Sequence, residues 1–253
     1  GVKGVEFIAC NTDQQALQSS LADKRIQLGP KCTRGLGAGG FPSIGEKAAE
    51  ESVQVLANAL EGADMVFLTA GMGGGTGSGA IPVVARISQT IGAVTIAIVT
   101  TPFSFEMGRR QKNAAIALQK LRQYTNTMIT VSNDRLLEVA PPDIPLETAF
   151  KLADDVLRQG VNGISELMTE TGMINVDFAH IKRVMALGGG ALMAIGTGEG
   201  EDKAFQALQK ALHHPMLDEV RLDEAAGIIA NFSGGNDLTF SEVAETLAYL
   251  QQE

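Results

Sequence analysis

Six glycines fall within nine residues of the run LTAGMGGGTGSGAIP: Gly71, Gly73, Gly74, Gly75, Gly77 and Gly79. Glycine lets backbone N–H groups approach one anion closely, and the start of a helix adds unpaired amides and the positive end of a dipole. The run is therefore a candidate phosphate cradle, since a strand-to-helix turn alone needs only one or two glycines. No register of residues 71–79 fits GxGxxG, and no Lys follows a glycine there as GxxxxGK[ST] requires. A second stretch, GLGAGG at Gly35–Gly40, does fit GxGxxG. It lies several residues beyond the nearest strand-like segment, RIQLG, which is the wrong context for a dinucleotide fingerprint. The stretch reads either as a second phosphate-facing loop or as a flexible connection. An NAD-dependent oxidoreductase would rest on that match alone. The acidic partner expected about 20 residues on is not at a strand end, because the nearest candidate, Glu61, closes a helix.

The elements that must position these loops follow from periodicity. Short β-branched runs, VEFIAC, RIQL, DMVFLTA, AVTIAIVT and TMITVS, alternate with helical patterns near 43–61, 78–91 and 106–124. That alternation predicts an α/β, Rossmann-like parallel sheet with helices on both faces. Gly62 reads as the C′ residue of the first helix. A long helix runs from Leu146 to Thr169, with Ala149, Leu152, Ala153, Val156, Leu157, Val161, Ile164 and Leu167 at core spacing. After it come a loop, a short helix from Asp177, a strand in GGALMAIG, a helix in KAFQALQKALHH, a strand in AAGIIANFS and a helix in FSEVAETLAYL. The expected organisation is a sheet domain over 1–145, a central helix over 146–170 and a smaller α+β domain over 171–253.

Composition bounds the function. The 253 residues are 45% hydrophobic and 19% charged, ordinary for a globular chain able to bury a large core. A formal charge of −9 without a Lys/Arg cluster argues against a nucleic-acid face. The longest apolar run, AVTIAIV, is far short of the roughly 20 residues of a membrane helix, so no direct membrane insertion is expected. Cys10 and Cys32 are too few for a disulfide framework, and a cytoplasmic location is the default expectation. His213 and His214 stand beside Pro215 as a helix end, with no third metal ligand at useful spacing.

Four stretches occur in order: NTDQQAL after the first strand, GMGGGTGSG, TPFSFEMGRR after a later strand, and GMINVDFAHIK after the long helix. Together they resemble the FtsZ family of bacterial tubulin-like GTPases over essentially the whole chain. The glycine run is close to the tubulin signature GGGTGTG, with Ser78 as a conservative variant. The resemblance implies a GTP-binding sheet domain, a central helix and a smaller activating domain. It implies that Gly71, Met72, Gly73, Gly74, Gly75, Thr76 and Gly77 wrap the phosphates, and that Ala38, Gly39 and Gly40 close on the terminal one. Glu106 matches a ribose-contacting carboxylate and Arg110 a nucleotide-side cation. Asn133 and Asp154 match guanine-contacting positions, and Phe150 supplies an aromatic ring. A carboxylate accepts both the N1–H and N2–H of guanine, which adenine does not offer. Asp155 reads as a solvent-facing charge. Asn11 would touch the nucleotide, or form an Asx-turn at a strand end.

In this family the loop after the central helix enters the nucleotide pocket of the next subunit, where acidic groups polarise the attacking water. The matching catalytic positions here are Asn175, Asp177 and His180, and His180 stands where the family's pattern has a second acid. A neutral imidazole accepts a proton but does not supply the same negative field. Asp177 also suits a helix N-cap. The resemblance thus implies a GTPase that polymerises head to tail for cell division at a mid-cell ring. The alternative is a weakly or non-hydrolysing filament subunit. Magnesium would be held mainly by phosphates and water, and no residue is named as its ligand. Relative to the family's pattern, a first strand with its glycine loop is expected upstream of Gly1. Further strands and a tail that recruits division-ring proteins are expected beyond Glu253.

Overall fold

The structure is a computed structural model and describes residues 5–106, 108–141, 143–169, 178–187, 190–213 and 225–251. Its first half builds two parallel sheets. Strands β1 (Ile8–Asn11) and β2 (Lys24–Gln27) pair with each other, flanking the short helix α1 (Gln14–Gln18). Strands β3 (Met65–Gly71), β4 (Val94–Thr101) and β5 (Thr127–Ser132) form the second sheet in that order, and a two-residue β6 (Gly190–Ala191) joins its end beside β5. Every pairing is parallel, as the alternation of strand and helix signals requires.

The central strand β4 shows why both faces are covered. Its side chains alternate with period two. Val94, Ile96 and Ile98 face a cluster with Ile129 and Val131 of β5, Leu136 of α6 (Asn133–Val139), Ala153, Val161 and Ile164 of α7 (Leu146–Thr169), and Ile181 and Met185 of α8 (Phe178–Met185). Ala97 and Val99 face the opposite cluster, with Ile81 and Ala85 of α4 (Gly75–Thr90) and Ala114, Ala117 and Leu121 of α5 (Gly108–Arg122). A third cluster packs Ile26 and Leu28 under α2 (Pro42–Glu51), α3 (Val53–Leu60) and α4 through Ala48, Ala49, Leu56, Val83 and Ile87. Helix α4 therefore lies against both sheets. None of the described helices is long and apolar enough to cross a membrane.

Several boundaries differ from the periodicity reading. The helix expected over 43–61 is two helices, α2 and α3, broken at Ser52. Ser52 is buried and its Oγ accepts the N–H of Gly29 at 2.9 Å, a tertiary bond that the local sequence does not announce. Ser52→Ala leaves that buried amide unpaired and is expected to cost about 1–3 kcal/mol. The midpoint of urea denaturation, at unchanged slope, measures it. Gly62 takes φ 79° after Glu61, as a C′ glycine does. Helix α4 starts at Gly75 rather than near 78, so the glycine run is itself the first turn. The short helices α1 and α6 follow β1 and β5 directly, capped by Asp13 and Ser132.

The long helix α7 spans the residues expected for it. Beyond it, α9 (Lys203–Leu212) and α10 (Phe240–Leu250) form as read, the latter with a Thr239–Glu242 capping box. The two strands expected around them do not. In the first, only Gly190 and Ala191 enter a ladder, and 225–233 has no regular structure. Apolar, β-branched composition suits a strand, but a strand exists only where a neighbour pairs with its backbone. Residues 192–196 and 225–233 have no such neighbour among the described residues.

Candidate functional site

The two glycine stretches meet at the N-terminus of α4. Gly71 ends β3, and the Met72 N–H donates to Thr100 O at 2.8 Å, continuing the ladder register. Gly73 then turns with φ 101°, its N–H bound by the buried Ser78 Oγ at 2.7 Å. Gly74 is the N-cap of α4 and provides no side-chain cap, and the first turn carries no acidic residue. The N–H groups of Gly75, Thr76 and Gly77 have no intrahelical acceptor, so this end offers several donors and a positive dipole to an anion.

The glycines of the run serve different purposes. A Cβ on Gly75 would stand 2.8 Å from Phe41 N and 2.9 Å from Ala38 Cβ, and one on Gly77 would stand 2.7 Å from Gly71 O. On Gly79 it would be 2.1 Å from Pro42 O, and on Gly45 of α2 it would be 2.2 Å from Gly75 O. Gly45 and Gly79 are glycine because α2 and α4 touch backbone to backbone, Gly75 because the first turn of α4 lies against the loop of residues 38–41, and Gly77 because it lies against Gly71 O at the end of β3. Gly74 and Gly40 are different, since a Cβ on either meets nothing within 4 Å. They border open space, as a ligand-facing glycine should.

The loop of Gly35–Gly40 is ordered against the NTD segment rather than loose. Gly37 N–H donates to Thr12 O at 3.1 Å, Gln14 N–H to Gly35 O at 3.0 Å, and Asp13 pairs with Leu36 in an isolated bridge. Ala38 is buried, whereas Gly39 and Gly40 are exposed with φ 57° and 76°. The Thr12 and Thr76 hydroxyls lie 2.6 Å apart and join that segment to the first turn of α4. Asn11 Oδ1 accepts the Asp13 N–H at 3.0 Å, so its side chain forms the Asx-turn at the end of β1.

Glu106 and Arg110 form an ion pair between the 3-10 turn Ser104–Glu106 and α5. The other carboxylate oxygen of Glu106 accepts the Phe103 N–H at 2.8 Å. Phe103 is fully buried, stacks on the exposed Phe105 at 5.0 Å between centroids and meets the edge of Phe150 of α7 at 5.1 Å. This aromatic group brings the TPFSFE stretch and the long helix together. Asp154 is exposed one turn further along α7. Asp155 is paired rather than free: hydrogen bonds from Arg158 and then Gln159 hold its carboxyl below the usual range.

Asn133, the first residue of α6, is 4% exposed, and its Oδ1 has no hydrogen-bond partner among the described residues. A buried amide oxygen left unpaired is costly, and an N–H donor from a ligand would satisfy it. Of the three catalytic positions, Asn175 and Asp177 lie outside the described residues. His180 is the third residue of α8 and is exposed. Sequence reasoning missed Asn113, Thr12 and Ser78 as parts of the site. Ser78 lay inside the glycine run, but the partners of Asn113 and Thr12 are remote in sequence and gave no local signal.

Comparison with known proteins agrees with this geometry. The Tubulin/FtsZ family GTPase domain matches residues 2–141, and the FtsZ family C-terminal domain matches residues 189–253. A point mutant of FtsZ from M. jannaschii is 45% identical, with a TM-score of 0.90 over 99% of this chain and 75% of its own. An empty FtsZ dimer from the same organism is 46% identical, with a TM-score of 0.91 over 99% and 73%. CetZ2 from Haloferax volcanii, solved as a GTPγS-bound protofilament, shares the fold at 22% identity, with a TM-score of 0.70 over 82% and 64%.

Proposed function

We propose, because this chain belongs to the Tubulin/FtsZ family, that it binds GTP at the N-terminus of α4, polymerises head to tail and hydrolyses GTP in the filament. The observation that carries the reading is the meeting of two glycine loops at an uncapped helix start, with open space at Gly40 and Gly74. Phosphate oxygens would take the first-turn N–H groups and the Thr76 hydroxyl. Guanine would supply the donor that Asn133 Oδ1 lacks, and the Asp154 carboxylate would accept its N1–H and N2–H. Phe150 would pack on the base beside Phe103. Glu106 already accepts two bonds, and a carboxylate has about four lone-pair sites, so a ribose hydroxyl can be added without breaking them. Magnesium would travel with the phosphates, since it keeps most of its waters.

Head-to-tail stacking is a heterologous contact, which produces a filament when its rotation does not close a ring. Relatives solved as a dimer and as a protofilament support self-association. The loop bearing Asn175 and Asp177 would reach the nucleotide of the next subunit, placing hydrolysis at the contact. A cytoplasmic division ring is the setting this reading assigns. The second reading, a filament subunit with little or no hydrolysis, is favoured by the imidazole of His180.

Phosphate release from GTP, measured against protein concentration, tests the reading. The rate per subunit is expected to rise steeply with concentration. A rate independent of concentration overturns assembly coupling, and failure to bind GTP overturns the nucleotide site itself.

A further inference from the structure

Residue Asn113 of α5 donates from Nδ2 to two carbonyls, Gly40 O at 3.3 Å and Gly73 O at 3.2 Å, one from each glycine loop. These acceptors lie 73 and 40 residues away in sequence, and both belong to glycines with positive φ, 76° and 101°. A peptide between two glycines meets no Cβ on either side and rotates between orientations at little steric cost. The Gly73–Gly74 peptide is of that kind. Its carbonyl and the Gly74 N–H lie in one plane and point in opposite directions. Holding the carbonyl toward α5 therefore fixes the N–H away from α5, and that N–H has no partner among the described residues. Gly73 is held at both of its polar groups, by Ser78 through its N–H and by Asn113 through its carbonyl. The preceding turn of α5 adds a second tie: the Arg109 guanidinium sits 4.1 Å over the ring of Phe41, the residue after Gly40.

We propose that Asn113 is a positioning residue. It orients the Gly73–Gly74 peptide so that the Gly74 N–H faces the nucleotide phosphates, and it fixes the Gly35–Gly40 loop to the same frame. The proposal rests on the GTP-site reading. It assigns Asn113 no contact with the nucleotide; its effect runs through the two carbonyls. A side chain at this position needs a donor, and nothing else of Asn is required.

Two variants of the full chain test it, Asn113→Ala and Asn113→Asp. Aspartate has the same shape but is acceptor-only when ionised, so it repels the carbonyls that Asn holds. GTP affinity by titration calorimetry is expected to fall about tenfold in Asn113→Ala and further in Asn113→Asp. A carboxyl facing two carbonyl oxygens gains a proton more readily than usual, and protonation returns one donor. The gap between Asn113→Asp and the natural chain is therefore expected to narrow as the buffer moves from about pH 7 to about pH 5, while that of Asn113→Ala stays constant. A general loss of structure would not produce that difference. Affinities within about twofold of the natural chain at both pH values, for both variants, overturn the proposal.

The amide resonance of Gly74 without nucleotide is the second readout, expected to move in Asn113→Asp by more than in surface controls. If the natural chain binds no GTP, the nucleotide reading fails and this resonance decides the positioning alone. Displacement upholds it, and an unmoved resonance overturns it.

Discussion

His180→Asp is expected to raise GTP turnover by about 100-fold, near the lower end of what one positioned acid or base supplies. The imidazole is exposed on the first turn of α8 and has no hydrogen-bond partner among the described residues. Its replacement breaks no hydrogen bond among the described residues. An aspartate in the first turn of a helix is also favoured by the dipole, so stability should hold or rise slightly. The substitution thus changes the local field with little else, and restores the second negative charge of the family's pattern. Phosphate release at fixed protein concentration reads the outcome, with GTP binding measured in parallel. A rise with equal binding assigns the natural chain to the weakly hydrolysing reading. Unchanged turnover in an already active chain means that the position takes no part in the chemistry.

The second large effect concerns stability. Gly79→Ala places a methyl 2.1 Å from Pro42 O and 2.6 Å from Glu46 N, both backbone atoms of α2. Neither helix can yield by turning a side chain. The expected cost is about 3 kcal/mol or more, a fall in Tm of roughly 6–12 °C for a chain of this size. Gly74→Ala is the control within the same run. Its backbone, at φ −79° and ψ 177°, suits any residue, and its Cβ meets nothing. The Tm should stay within about 2 °C, while GTP affinity falls about tenfold because the methyl borders the phosphate-facing space. Thermal melts and GTP titrations of both variants check the contrast. A Gly79→Ala chain that melts like the natural one would refute the backbone contact, and unaltered GTP affinity in Gly74→Ala would remove that glycine from the site.

That contrast also marks what the sequence could and could not disclose. The run at 71–79 announced a phosphate cradle, yet Gly75, Gly77 and Gly79 are required by close backbone packing while Gly74 borders open space. Composition cannot separate the two causes, because both demand the absence of a Cβ. The strands β3, β4 and β5 and the helix α7 were legible because long apolar patterns with clear periods dominate them. The break at Ser52 was not, since its cause is an amide brought from Gly29 by tertiary folding. Helices α1 and α6 were announced by Asp13 and Ser132 as caps and were overlooked because each is short. Residues 192–196 and 225–233 had the composition of strands and lacked the partners. In the candidate site, Asn133 was named through the family pattern, and what the sequence could not disclose is that its Oδ1 is buried without a partner among the described residues.

The division of the strands into two sheets bears on how solutions of this protein will behave. Strand β3, MVFLTAG, pairs with β4 on one side and has no ladder partner on its other side among the described residues. A largely apolar strand edge is a place where a further strand can add, and the family's pattern puts a first strand upstream of Gly1. In a turbidity assay the signal without nucleotide is the baseline. Only the part of the signal that appears with GTP and decays as GTP is consumed belongs to ordered assembly.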